Sequence, residues 1–314
     1  MVNGVTRMEH IFTTQKSSNL QDKSSVNKVF LNLSPEEATA VERAFSEEEQ
    51  GQWVIEKTDQ QCQLCGYFDG NFQEFWQILQ KRIPLLATKT LTHEELPARE
   101  WQEEYKRFLE PFQLGCLHVV PVWERPNYAV PDGQFAVYLD AEMAFGTGAH
   151  ETTKLCLARI VDYRNLFKST LFLKKVIDVG CGSGILSIAA AKLGFGRVYG
   201  FDHDPEAVGI SEKNARQNGV SSVEFSVAGI SAGILGHQAD LIVANILAPV
   251  LIAHAPLLVN TVKRYGILSL SGVLDGEVEA VKAAFKPLVE RHWDGSISNT
   301  KTMGQWSEIA YIRT

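Results

Sequence analysis

The stretch Val176-Ile177-Asp178-Val179-Gly180-Cys181-Gly182-Ser183-Gly184 reads as a buried strand entering a glycine-rich turn, and the segment SGILSIAAAKLG (183–194) continues it as a helix. In a doubly wound sheet such a turn lies at the carboxyl edge of the strands, where ligands bind. Gly180, Gly182 and Gly184 permit dihedrals that a Cβ forbids and leave bare backbone for a ligand to approach. The spacing G-x-G-x-G is one residue shorter than the dinucleotide fingerprint G-x-G-x-x-G, and an acid, Asp178, sits inside the strand just ahead of the glycines.

Downstream, apolar strands alternate with helical patterns: RVYGFD (197–202) and PEAVGISEKNARQNG (205–219), then SVEFSVAG (222–229), DLIVAN (240–245) and one helix over 246–259, then GILSLSG (266–272) and EVEAVKAAF (277–285). Several strands are continuous apolar runs, which predicts a parallel sheet covered by helices on both faces, a doubly wound Rossmann-like α/β fold. A last strand, SEIAYIR (307–313), follows the turn KTMGQW and is expected to pair antiparallel with a strand near Leu288 to Trp293.

Upstream, VFLNL, a helix opened by Ser34-Pro35-Glu36-Glu37, the strands QWVIEK and CQLCGYF, a helix FQEFWQILQKRI behind the caps Asp69 or Asn71, and a closing strand LLATKTL (85–91) give the order βαββαβ. This is the pattern of a small ferredoxin-like α+β domain. The predicted organisation is a disordered polar tail over 1–26, that domain over 27–95, a linker helix and connecting strand over 96–129, and a catalytic domain over 130–314. Trp101, Tyr105 and Phe108 recur at helical spacing in the linker and are read as packing rather than a ligand cage.

With 314 residues, 45% of them hydrophobic and 21% charged, the chain is long enough for two soluble domains and has no apolar run of membrane-spanning length. No secretory h-region is present at the amino terminus, so the cytoplasm is expected. A net charge of -7 disfavours direct binding of nucleic acid and suits a basic protein partner. Five scattered cysteines fit a reducing compartment. Cys62 and Cys65 have metal-like spacing but lack a second pair, so packing competes with a zinc or redox role.

Asp178 is placed to repel a diphosphate and to attract an ammonium, and Asp202, ending the next strand, is placed to accept ribose hydroxyls. Together they point to a nucleoside carrying an amino-acid tail, with a nicotinamide enzyme as the alternative. Asn245, at the end of a buried strand, either orients a nucleophile or cofactor tail, or caps the following helix. His150 is a candidate base or a merely hydrogen-bonded ring; Phe145 walls the pocket or packs. One of Thr152 and Thr153 is expected to cap a helix over 154–161, leaving the other hydroxyl for the cofactor, and Gly146 and Gly148 give the preceding loop freedom to close.

Three segments carry a family resemblance: D-V-G-C-G-S-G with Asp202, A-F-G-T-G-A-H-E-T-T (144–153) and V-A-N-I-L-A (243–248). The first resembles class I S-adenosylmethionine methyltransferases. All three, in that family's order, resemble PrmA, the bacterial methyltransferases of ribosomal protein L eleven, over about Trp101 to Trp306. The resemblance implies S-adenosylmethionine as cofactor, ribosomal protein L eleven as substrate through its lysine and amino-terminal amines, a substrate-holding amino-terminal domain and a monomer. By matching motif it also implies cofactor contacts at Thr153, Gly180, Asp202 and Asn245; Asp178, Gly182 and Phe145 are added as cofactor candidates and Asn245 and His150 as catalytic ones. No metal is expected. A methyltransferase acting on another protein or small-molecule acceptor stays open. Ile246-Leu247, in place of the Pro-Pro-aromatic run that planar acceptors meet, disfavours planar amides and bases.

Overall fold

The computed structural model describes residues 25–44, 53–57, 62–68, 72–97, 110–139 and 150–314. The chain divides into two compact units, Met1–Leu109 and Glu110–Thr314. The expected tail, the stripe Trp101, Tyr105 and Phe108, the caps Asp69 and Asn71, and the loop 144–149 with Phe145 all lie outside the described residues, except that Ser25 and Val26 begin the first strand.

In the first unit β1 (Ser25–Leu33), α1 (Pro35–Ala44), β2 (Trp53–Lys57), β3 (Cys62–Phe68), α2 (Gln73–Arg82) and β4 (Thr92–Pro97) follow in the order read from the sequence. They form an antiparallel sheet in the order β2-β3-β1-β4. The expected reciprocal cap opens α1: the Glu37 N–H donates to Ser34 Oγ (3.2 Å) and the Ser34 N–H to Glu37 Oε2 (3.0 Å). The closing strand is displaced from the expected one. Pro84 starts a short 3-10 turn, Pro84–Leu86, that buries Leu86, and pairing begins only at Thr92. This strand carries no apolar pattern in the sequence because it is an edge strand whose residues 92–95 are exposed and polar. Cys62 and Cys65 are both buried, but three residues apart on one strand they face opposite sides of the sheet, so their spacing does not make a chelate.

The second unit opens with a three-stranded sheet of β5 (Phe112–Leu114), β6 (Leu117–Pro121) and β7 (Phe135–Leu139), so residues 110–129, expected in the linker, lie in this unit. Then come α3 (Glu151–Leu166), β8 (Lys175–Val179), α4 (Ile185–Leu193), β9 (Arg197–Asp202), α5 (Pro205–Gln217), β10 (Val223–Val227), α6 (Ile230–Gly233), β11 (Ala239–Asn245), α7 (Ala248–Ala253), α8 (Ala255–Thr261), β12 (Val262–Leu274), α9 (Val278–His292), β13 (Ser296–Met303) and β14 (Trp306–Arg313). The main sheet runs β10-β9-β8-β11-β12-β14-β13, parallel through β12 and antiparallel at β14 and β13.

The apolar runs follow from burial on both faces. Val176, Leu241 and Val243 pack with α3 and α4, whereas their neighbours Ile177, Ile242 and Ala244 pack with α7, α8 and α9. Two local expectations are corrected. The helix over 246–259 is split at His254, where Pro256 in the first turn of α8 has no N–H to continue the ladder. Residues 288–293 end α9, and the antiparallel neighbours of β14 are β12 and β13.

Candidate active site

From β8 the chain moves outward through β9 and β10, then crosses back to β11 on the other side of β8. Between the carboxyl ends of β8 and β11 lies the topological switch point, the crevice where such sheets hold ligands. The glycine turn occupies one wall and Asn245 ends the other.

All three glycines of the turn are left-handed, with φ of 71° at Gly180, 52° at Gly182 and 78° at Gly184. Neighbouring elements fix this shape. The Gly180 and Cys181 N–H groups donate to the Phe201 carbonyl (2.9 and 3.0 Å), and the Gly182 N–H donates to Asp202 Oδ2 (3.0 Å). From α5, Ser211 Oγ donates to the Gly182 carbonyl (2.8 Å) and Asn214 Nδ2 to the Ser183 carbonyl (2.9 Å). A Cβ on Gly180 would stand 2.7 Å from Ile246 Cγ2, and one on Gly272 would stand 2.6 Å from the Ile246 carbonyl oxygen. The two glycines therefore seat the segment Asn245-Ile246, a packing need beyond the ligand approach expected from sequence.

Asp178 is fully buried, and Ser187 donates to its Oδ2 from both the backbone N–H (3.1 Å) and Oγ (2.7 Å). Burial pushes its carboxyl up to about 7, against the downward pull of the Ser187 bonds, and the Asp202 charge adds to the rise. One oxygen thus braces the first turn of α4, while Oδ1 makes no hydrogen bond. Asp202 is held at both oxygens, Oδ2 by Gly182 and Oδ1 by the Asp204 N–H (3.1 Å), with His203 Nδ1 also 3.1 Å away. Two carboxylate oxygens offer about four acceptor positions, so the side chain is fixed without being exhausted.

His150, 1% exposed, is the N-cap of α3, a role expected of Thr152 or Thr153. Its Nδ1 accepts from the Thr152 N–H (3.2 Å) and lies 2.7 Å from Thr152 Oγ1, and the ring stands edge-on to Trp306 at 5.1 Å between centroids. An imidazole nitrogen reaches the second N–H of the turn as a hydroxyl would, and both threonines fall inside the helix. With Thr152 so engaged, Thr153 Oγ1 accepts from Asn245 Nδ2 at 3.5 Å. Asn245 does not cap α7, whose N-cap is Leu247; it is 7% exposed and its Oδ1 makes no hydrogen bond. Ser271 Oγ donates to the Thr152 carbonyl (3.2 Å), tying α3 to the end of β12.

The structure thus gathers Thr153, Gly180, Gly182, Asp202 and Asn245 around one sheet edge, sets Asp178 behind the turn, and gives His150 to a helix end. Ser187, Ser211, Asn214 and Ser271 were not foreseen. For Ser187 and Ser271 the signal was present as hydroxyls interrupting the otherwise apolar runs ILSIAAA and ILSLSGVL, which a buried polar partner explains, whereas Ser211 and Asn214 sit in a largely polar helix that gives no such signal.

A family model described as ribosomal protein L11 methyltransferase (PrmA) matches residues 14–314. Relatives carrying the name ribosomal protein L11 methyltransferase include one from Caldanaerobacter subterraneus subsp. tengcongensis, 41% identical over 216 residues, a match covering 68% of this chain and 65% of that protein. Another, from Myxococcus xanthus, is 37% identical over 219 residues, covering 70% and 71%. The match therefore spans just under two thirds of the first relative's length. A solved structure of a ribosomal protein L11 methylase from Lactobacillus delbrueckii subsp. bulgaricus aligns with a TM-score of 0.56 at 30% identity, covering 65% of this chain and 99% of that one. With the family pattern running nearly end to end, the chain belongs to the ribosomal protein L11 methyltransferase (PrmA) family.

Proposed function

We propose that the crevice between β8 and β11 binds S-adenosylmethionine and that the chain methylates amino groups of ribosomal protein L11, on lysine side chains and at the amino terminus. The observation that carries the reading is the turn at Gly180, Gly182 and Gly184, all left-handed, with the Asp202 carboxylate clamped to its middle N–H. The residues fit the cofactor. Asp202 retains acceptor positions for hydroxyls, and buried oxygens on Asn245 and Asp178 make no hydrogen bond within the protein. Gly180, Gly182, Asp202, Thr153 and Asn245 would hold it, with Asp178 behind the turn.

When bound, the cofactor supplies a methyl group on a positively charged sulfur. The protein's own part is alignment and exclusion of water. A lysine amine, with a reference pKa near 10.4, attacks only when neutral, and a buried edge that disfavours charge promotes that form. Asn245 Oδ1 is the acceptor available to orient an incoming N–H. His150, whose Nδ1 is taken up by the helix cap, serves this reading as a support for Thr152 before it serves as a base.

The proposal includes a cytoplasmic monomer that acts on protein without direct nucleic-acid binding, and a first unit that receives the substrate. The net charge of -7 supports attraction of a basic protein, and among the described residues no helix is long and apolar enough to cross a membrane. The test is mass spectrometry of purified ribosomal protein L11 after incubation with the enzyme and isotope-labelled cofactor. Labelled methyls on lysine and α-amine positions are expected; an unmodified substrate in the presence of active cofactor-bound enzyme refutes the acceptor.

A further inference from the structure

Arg159 lies two turns along α3 from Thr152 and is buried with Glu308 of β14, their side chains 6% and 0% exposed. The pair is a fork: Nε to Oε1 at 2.9 Å and Nη2 to Oε2 at 2.8 Å. Asn299 of β13 accepts from Nη2 (2.7 Å), and Ser269 of β12 donates to Oε1 (2.7 Å). One helix is thereby joined to three strands. Seven residues earlier on α3, and so within about 20° of the same helical face, stands Thr152. Its carbonyl takes the bond from Ser271, two positions along β12 from Ser269. The helix is pinned to the sheet at two polar rungs, each built on a fully buried serine.

Stability alone does not account for the fork. A well-packed apolar pair of similar volume is often as stable as a buried ion pair or more so. Apolar surfaces, however, tolerate small sliding, whereas a bidentate pair has a single geometry. A slip of α3 by one residue is about 1.5 Å along its axis, and the Thr153–Asn245 contact already stands at 3.5 Å.

We propose that the Arg159–Glu308 fork is a positioning element that sets the register of α3 so that Thr153 meets Asn245 at the crevice. The proposal rests on the reading that these two residues contact the cofactor. In the full-length chain, the joint replacement Arg159→Met with Glu308→Leu is expected to keep the protein folded, the apolar packing of the new pair offsetting the bond that buried Ser269 loses. It is expected to weaken S-adenosylhomocysteine binding tenfold or more and to speed hydrogen exchange at the amides of residues 152–154. Arg159→Lys, which keeps the charge and loses the fork, falls between. A folded double variant with affinity within twofold of wild type and unchanged exchange overturns the proposal. Should the double variant not fold, Glu308→Gln decides: weakened binding supports the fork's role and unchanged binding in a folded protein refutes it. Wild-type protein that binds no S-adenosylhomocysteine would count against the cofactor reading itself, and the exchange measurement would still decide whether the fork sets the helix.

Discussion

Gly180→Ala tests the architecture of the crevice where the glycine turn meets Ile246. At φ of 71°, alanine suffers about 1–2 kcal/mol of left-handed strain. Its Cβ would also stand 2.7 Å from Ile246 Cγ2, well inside the 3.5–4.0 Å of an optimal carbon contact. Turning Ile246 off its rotamer to relieve this adds about 0.5–1.5 kcal/mol. The total, roughly 1.5–3.5 kcal/mol, corresponds to a fall in melting temperature of roughly 3–14 °C for a unit of this size. Displacing the turn also draws the Gly182 N–H from Asp202, a charge-assisted bond worth about 1.5–3 kcal/mol, so affinity for S-adenosylhomocysteine should drop at least tenfold. Scanning calorimetry and a binding titration read the two effects. Adding Ile246→Ala removes the colliding methyl and leaves the dihedral strain, so the two changes together should be less damaging than their sum by about 1 kcal/mol. Gly180→Ala with melting and affinity unchanged, or strict additivity of the pair, would refute the packing account.

Asp202→Ala should weaken cofactor binding tenfold or more with the fold retained, as followed by titration and circular dichroism, because it removes a buried acceptor worth about 2 kcal/mol. Asn245→Ala should lower the rate of methyl transfer on the order of 100-fold, comparable to loss of one pre-placed polar group, in initial-rate measurements on L11. Asp178 gives a pH dependence. Its folded value, about 7, exceeds the ordinary 3.8, so the folded state holds a proton that the unfolded state has released between those values. Stability therefore falls as pH rises from about 4 to 7, by at most about 4 kcal/mol; Asp178→Asn should flatten that slope in denaturant titrations across this range. Burial pushes the Cys156 and Cys181 thiols far up, so alkylation of the native protein at pH 8 should spare both and react first, among the described cysteines, at half-buried Cys116.

The sheet was legible because its strands are buried on both faces and their apolar runs leave no competing period. The edge strand β4 was not, since its residues 92–95 are exposed and THEELP reads as loop, while the apolar run at Leu85-Leu86 looks like the strand. The capping box at Ser34 was legible because its partners lie three residues apart. His150 as a cap was not, because the imidazole competes for that place with two threonines better known for it. At the site, sequence supplied the glycines, both acids and Asn245, whose roles depend on strand ends. It withheld the partners brought from far along the chain: Ser187 under Asp178, Ser211 and Asn214 over the turn, Glu308 beneath Arg159. Those pairings are tertiary, and no local period encodes them.

Titration of the purified wild-type chain with S-adenosylhomocysteine, with nicotinamide dinucleotide run in parallel, tests the central claim most directly. The crevice described above predicts saturable one-to-one binding of the adenosyl ligand, weakened tenfold or more in Asp202→Ala, and none of the dinucleotide. Saturable binding of the dinucleotide, or no binding of the adenosyl ligand by folded protein, would contradict it.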